Sequence, residues 1–136
     1  MIATAQPQAA EVQSSKLEIN ALRRESSGLV ALTWTVTNTG SQPLNVSGRF
    51  MFNGTYFEGG ATVGVNLFDA SQRQRYRSLR DQENHCVCTD FSGVGRTILN
   101  PGQDVTFYNL YKLPPDVTAV SVEIPDYVAA GNVPIS

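Results

Sequence analysis

The stretch LVALTWTVTN, residues 29–38, sets Val30, Leu32, Trp34 and Val36 on one parity and Ala31, Thr33, Thr35 and Thr37 on the other. Successive side chains of an extended chain point to opposite faces, so this alternation predicts a strand with one face buried and the other toward solvent. The flanking segments carry the same period. Upstream, KLEINALRRE (16–25) places Leu17, Ile19 and Ala21 opposite Glu18 and Asn20, and SSG at 26–28 turns the chain into the Trp34 strand, which predicts a hairpin. Downstream, the turn formers TGSQP precede Leu44, Val46, Phe50 and Phe52 on one face with Asn45, Ser47 and Arg49 on the other, a second strand expected to pair with the first.

The remainder repeats the pattern. Residues 62–69 and 74–79 flank DASQ as another hairpin, and Asn100-Pro101-Gly102 predicts a type I or II turn ahead of the strand DVTFYNLYK. After LPPD, the stretch VTAVSVEIP sets Val120, Val122 and Ile124 against Ser121 and Glu123. No window sustains apolar residues at helical spacing, and turn signals recur every ~8–12 residues, the rhythm of a sandwich or barrel. The expected fold is all-β, an antiparallel β-sandwich of roughly seven or eight strands. It occupies residues 15–125, with residues 1–14 as a flexible N-terminal linker and 126–136 as a C-terminal tail.

A chain of 136 residues fits one domain with a real core. Its net charge of −2 and 16% charged residues supply no basic field for nucleic acid or anionic lipid. No apolar run approaches the ~20 residues that span a bilayer, so no membrane insertion is expected. The opening MIATAQPQAAEVQSS lacks the basic and apolar regions of a signal peptide and reads as a linker or mature-protein start. Two cysteines fit one disulfide outside the cell or two thiols inside it.

WTVTNTGSQPL, LNPGQDVTFYNLYKLP and DVTAVSVEIP resemble the pattern of immunoglobulin-like domains in exported bacterial proteins, the telokin-like group that includes the mycobacterial immunoprotective extracellular family. The likeness covers residues 16–52 and 98–125. It implies an immunoglobulin-like sandwich exported to the cell envelope or extracellular space, with the export signal absent from this chain, and it carries over no catalytic residue. Residues 53–97 depart from the pattern. Within them RD…CVC is similar to a segment of exported actinobacterial envelope proteins, some of them joined to peptidoglycan-binding domains.

Chemistry concentrates in NHCVCTD, residues 84–90, which holds the only histidine and both cysteines. His85, Cys86 and Cys88 suit zinc, but a closed site needs a fourth ligand, which Asp90 would have to supply, and no metal is expected. Catalytic cysteine–histidine pairs normally join separated segments, and a single histidine leaves no independent triad. Asp69, Asp81, Glu83, Asp90, Asp104 and Asp116 fall in turn-like stretches and read as solvated loop charges. A Cys86–Cys88 disulfide is the leading reading, with free thiols the alternative. Extended residues i and i+2 lie near the upper limit of Cα separation for such a bond, so it requires a bent backbone. Its small ring clamps a loop rather than the fold.

Two surface features complete the candidates. Arg73, Arg75 and Arg77 share a parity, a basic stripe able to receive a carboxylate or phosphate partner, or else a charged edge that deters strand pairing. Tyr56 and Phe57, in the glycine-flanked TYFEGG, either anchor a partner or fold back over the end of the sandwich. The expectation is a non-enzymatic interaction or scaffold module with a protein or envelope partner and no cofactor. The alternatives are a protease-inhibitor-like binder using an end loop, and a redox or metal-handling domain centred on the Cys-x-Cys segment.

Overall fold

The computed structural model describes residues 1–46, 49–50, 62, 64–83, 85–88 and 98–136. Within them lie the strands β1 (Ala3–Ala5), β2 (Ser15–Arg24), β3 (Val30–Asn38), β4 (Leu44–Asn45), β5 (Asn66–Asp69), β6 (Gln74–Tyr76), β7 (Ile98–Leu99), β8 (Asp104–Tyr111), β9 (Ala119–Glu123) and β10 (Ala130–Pro134). A single 3-10 turn at Ala10–Val12 is the one helical element among the described residues. One four-stranded sheet has the order β1-β2-β3-β8, a second β10-β9-β5-β6, and β4 pairs with β7 apart from both. Every pairing is antiparallel.

Both four-stranded sheets contribute to one apolar core, the arrangement expected of a β-sandwich. β3 is its centre. Val30, Leu32, Trp34, Val36 and Asn38 are buried while the intervening residues are half-exposed, the alternation read from 29–38. Trp34 is fully enclosed, with the Phe50 ring edge-on at 4.9 Å and the Phe107 ring tilted at 4.7 Å. From the other sheet come Leu67, Val120 and Val122.

The turns follow their local chemistry. Between β2 and β3, Gly28 takes φ +90°, and Glu25 and Leu29 close the hairpin through Glu25 N to Leu29 O at 2.7 Å. In Asn100-Pro101-Gly102, Gln103 N donates to Asn100 O at 2.9 Å and Gly102 sits at φ +85°, which selects type II over type I.

Four expectations need correction. First, the register of β2 on β3 shifts between Ile19 and Ala21, so Leu22 rather than Ala21 turns inward; a β-bulge inserts one residue and reverses parity beyond it. Second, β4 pairs with β7, not with β3, because both edges of β3 are already taken by β2 and β8. Leu44, Val46 and Phe50 are nevertheless buried, while Phe52 lies outside the described residues. Third, residues 77–79 do not extend β6: Leu79 N donates to Leu110 O at 2.7 Å, so the chain crosses to the edge of β8.

Fourth, the segments expected as linker and tail carry paired strands. β1 adds to β2 in the register Ala3↔Ile19 to Ala5↔Leu17, and β10 adds to β9. Further along the same edge of β2, Ser136 N donates to Leu22 O at 3.0 Å and Arg24 N donates to Ser136 O at 2.9 Å. Backbone hydrogen bonding to a waiting edge, together with the burial of Ala5, Ala130 and Val133, holds these pieces, and the backbone part leaves little trace in side-chain pattern.

Candidate functional site

The NHCVCTD cysteines lie where the chain, having left β6, folds against the edge of β8. Val87 N donates to Leu79 O at 2.7 Å, Leu110 N donates to Val87 O at 3.2 Å, and single bridges join Arg80 to Cys86 and Cys88 to Asn109. Residues 79–81 and 85–88 are thus two legs stitched to each other and to the sheet. The Sγ atoms of Cys86 and Cys88 stand at disulfide distance. Their Cα atoms are 5.4 Å apart, against the ~6.8 Å of two extended residues, so the backbone bends at Val87 as the pairing requires. Cys88 is buried and Cys86 half-buried.

Asp81 organises the tip. Its N–H donates to His85 O at 2.8 Å, and its Oδ1 accepts from the N–H groups of Glu83 and His85, each at 2.9 Å. The His85 N–H bond, opposed by some desolvation and aided by the Glu83 N–H and the imidazole charge, holds the Asp81 carboxyl below the ordinary carboxylate range. His85 Nδ1 lies 3.7 Å from Asp81 Oδ2 and 3.7 Å from Glu83 Oε2. These three residues offer ligand atoms within 4.8 Å of one another. They are surface groups whose spacing also suits an imidazolium between two carboxylates. The cysteine sulfurs, joined to each other, are not part of that set, so the His85–Cys86–Cys88 ligand group considered from the sequence does not assemble; Asp90 lies outside the described residues.

Beneath the loop is a buried polar centre. Trp34 Nε1 donates to Asn109 Oδ1 at 3.2 Å, and Asn109 Nδ2 donates to Thr62 O at 2.9 Å and to Ser78 Oγ at 2.5 Å. Asn109, Thr62 and Ser78 are all buried. One amide therefore ties the central strand, the crossing segment and residue 62 together, with its donors and acceptor employed. Sequence reasoning missed it, although the signal was present: in DVTFYNLY, Asn109 shares the inward parity of Val105, Phe107 and Tyr111.

The arginine stripe is not one row. Arg75 alone lies in a strand; Arg73 closes the preceding turn at φ 54°, and Arg77 follows the end of β6. The Arg75 guanidinium binds Glu123 with Nε to Oε1 at 2.7 Å and Nη2 to Oε2 at 3.0 Å, and it lies 5.1 Å over the Phe68 ring. This clamp crosses β6, β5 and β9, and it raises the Arg75 pKa through the hydrogen bond and charge of Glu123. The central arginine is thus already occupied by a carboxylate of its own chain. Tyr56 and Phe57 lie outside the described residues.

No protein-family model, curated protein or solved structure matches the chain.

Proposed function

We propose that this protein is a non-enzymatic interaction module of immunoglobulin-like β-sandwich type, exported to the cell envelope or extracellular space, and that it meets its partner through the loop at residues 80–88. The observation that carries this reading is the fastening of that loop. Backbone bonds, an Asp81-capped turn and the Cys86–Cys88 pair fix its path, while Arg80, Asp81, Gln82 and Glu83 stay exposed. Ordering a loop before binding removes an entropic cost of association, which is what a recognition surface gains from such fastening. The sulfur pairing accords with an oxidising compartment.

The test is cross-linking mass spectrometry on the envelope and secreted fractions of the source cells, comparing the natural chain with Arg80→Glu/Glu83→Lys. Partner cross-links mapping to residues 80–88 and lost in the variant support the reading; an unchanged partner set in the variant rejects this loop as the contact. The same preorganisation favours a second reading, a protease-inhibitor-like binder that inserts the loop into a cleft. Inhibition of any member of a protease panel, relieved by the double substitution, would select it.

A further inference from the structure

A second surface, lined by residues outside the 80–88 loop, has a more specific chemistry. β5 pairs with β9 from Asn66↔Glu123 to Phe68↔Ser121 and then stops, whereas β9 continues to Ala119 against Pro134 of β10. Where β5 peels away into the turn toward β6, a wedge of about 380 Å³ opens, lined among others by Phe68, Asp69, Ser71, Asp116, Ser121 and Asn132. That volume lies within the range of small-ligand sites.

The wedge is acidic, with Asp69 and Asp116 both on its lining. Asp69 is 4% exposed, although its place in the DASQ turn predicts a solvated charge. Its Oδ1 accepts from Ser71 N at 3.1 Å and Ser71 Oγ at 2.8 Å. Among the described residues no cation stands within ion-pair distance of Asp69 or Asp116. The nearby Arg75 is held by both oxygens of Glu123, and Arg73 makes no ion pair with any described residue. Both aspartates act on one neighbour: the Tyr76 phenol is raised by burial first and then by the charges of Asp69 and Asp116. A buried carboxylate held by hydroxyl and amide donors alone still lacks a countercharge.

We infer that this wedge is a docking groove for an arginine side chain of a protein partner, its guanidinium placed between Asp69 and Asp116. Charge complementarity selects a cation, and a planar fork of five donors can serve two carboxylates at once where an ammonium acts as a point charge. Val117 and Ala119, also on the lining, offer apolar surface to the side chain's methylene stem. The residues of β9 beyond Ser121 lack a β5 neighbour, which leaves room for the partner's backbone to pass alongside.

The experiment is an amide-resolved NMR titration of the full chain with the blocked peptide acetyl-Gly-Arg-Gly-amide. Its neutral isostere, with citrulline for arginine, and its lysine counterpart are run in parallel. Saturable shifts at Ser71, Ala119 and Val120 with the arginine peptide, absent with citrulline, are expected, weakened about fivefold or more by Asp116→Asn and by Asp69→Asn. Asp116 is exposed, so its variant remains informative even if Asp69→Asn disturbs the turn. The inference is overturned by no saturable shift at about 10 mM peptide, by equal binding of the citrulline or lysine peptide, or by undiminished binding in Asp116→Asn.

Discussion

Replacing Asn109 by leucine tests whether the buried amide holds the fold together or merely fills space. The two side chains have the same branching and number of heavy atoms, so the change removes hydrogen bonds without opening a cavity. It withdraws the acceptor of Trp34 Nε1 and the donor to Thr62 O, at sites from which water is excluded. Each orphaned buried group costs about 1–3 kcal/mol, so two cost about 4 kcal/mol at mid-range. The greater apolar burial of leucine offsets about 1.5 kcal/mol of this, leaving a net loss of about 2.5 kcal/mol. For a chain of this size that lowers Tm by about 8–12 °C.

The assay is urea unfolding followed by circular dichroism, with Trp34 fluorescence as a second probe where the tryptophan is kept, extended to a double-mutant cycle with Trp34→Phe. Phenylalanine keeps an aromatic ring but lacks the Nε1–H, so it orphans Asn109 Oδ1. Once both partners are gone that orphan disappears, and the double variant should be more stable than the sum of the single losses predicts by about 1 kcal/mol. Additivity within about 0.4 kcal/mol, or an Asn109→Leu variant within about 0.5 kcal/mol of the natural chain, would refute the reasoning.

Three further outcomes are expected. Alkylation of protein recovered from an oxidising compartment, without reductant, should leave both cysteines unlabelled in mass spectra, and reduction should shift Tm by only a few degrees because the ring spans a sequence separation of 2; two labelled thiols would remove the disulfide from the account. Arg75→Glu should keep the fold and cost about 1 kcal/mol or less, read by denaturant midpoint, since the Glu123 pair is solvent-exposed; global unfolding would contradict that. The Asp81 carboxyl is depressed in the folded state, so its contribution is complete above the unfolded-state pKa and is lost as pH falls through the folded-state value. Amide exchange at Glu83 and His85 should therefore accelerate only on acidification below the ordinary carboxylate range, and faster exchange already at neutral pH would refute this role for Asp81.

Legibility followed the type of force at work. β3, β8 and β9 bury one face, so their side-chain alternation announces them, and Gly28 and Gly102 mark turns that need positive φ. β1 and β10 do not announce themselves. Ala3–Ala5 and the Gly131-Asn132 of β10 carry little side-chain pattern, and beyond the burial of Ala5, Ala130 and Val133 both strands depend on the backbone partners a neighbouring edge offers. The bulge after Ile19 reverses parity at a point where Ala21 and Leu22 are both apolar, so either inward set looked acceptable. At the candidate sites, sequence showed which residues carry chemistry but not what they face. The cysteine pairing could be argued from spacing, whereas the burial of Asp69 and the Arg75–Glu123 clamp depend on segments that only the fold brings together.

The two edges of the β1-β2-β3-β8 sheet are closed by different means, and that difference bears on how concentrated protein associates. At β8 the cover is the 79–88 loop, covalently looped on itself. At β2 the cover is β1 at one end and Ser136 at the other, two separate pieces joined to it by a few backbone bonds each. Short pieces joined by few backbone bonds open locally at far smaller free-energy cost than a global opening. Each such opening bares part of a strand whose Leu17, Ile19 and Leu22 already point into the core, a ready template for the same segment of another molecule. Strand exchange between copies should accordingly begin at β2, and removing the cover supplied by β1 or by Ser136 should hasten it.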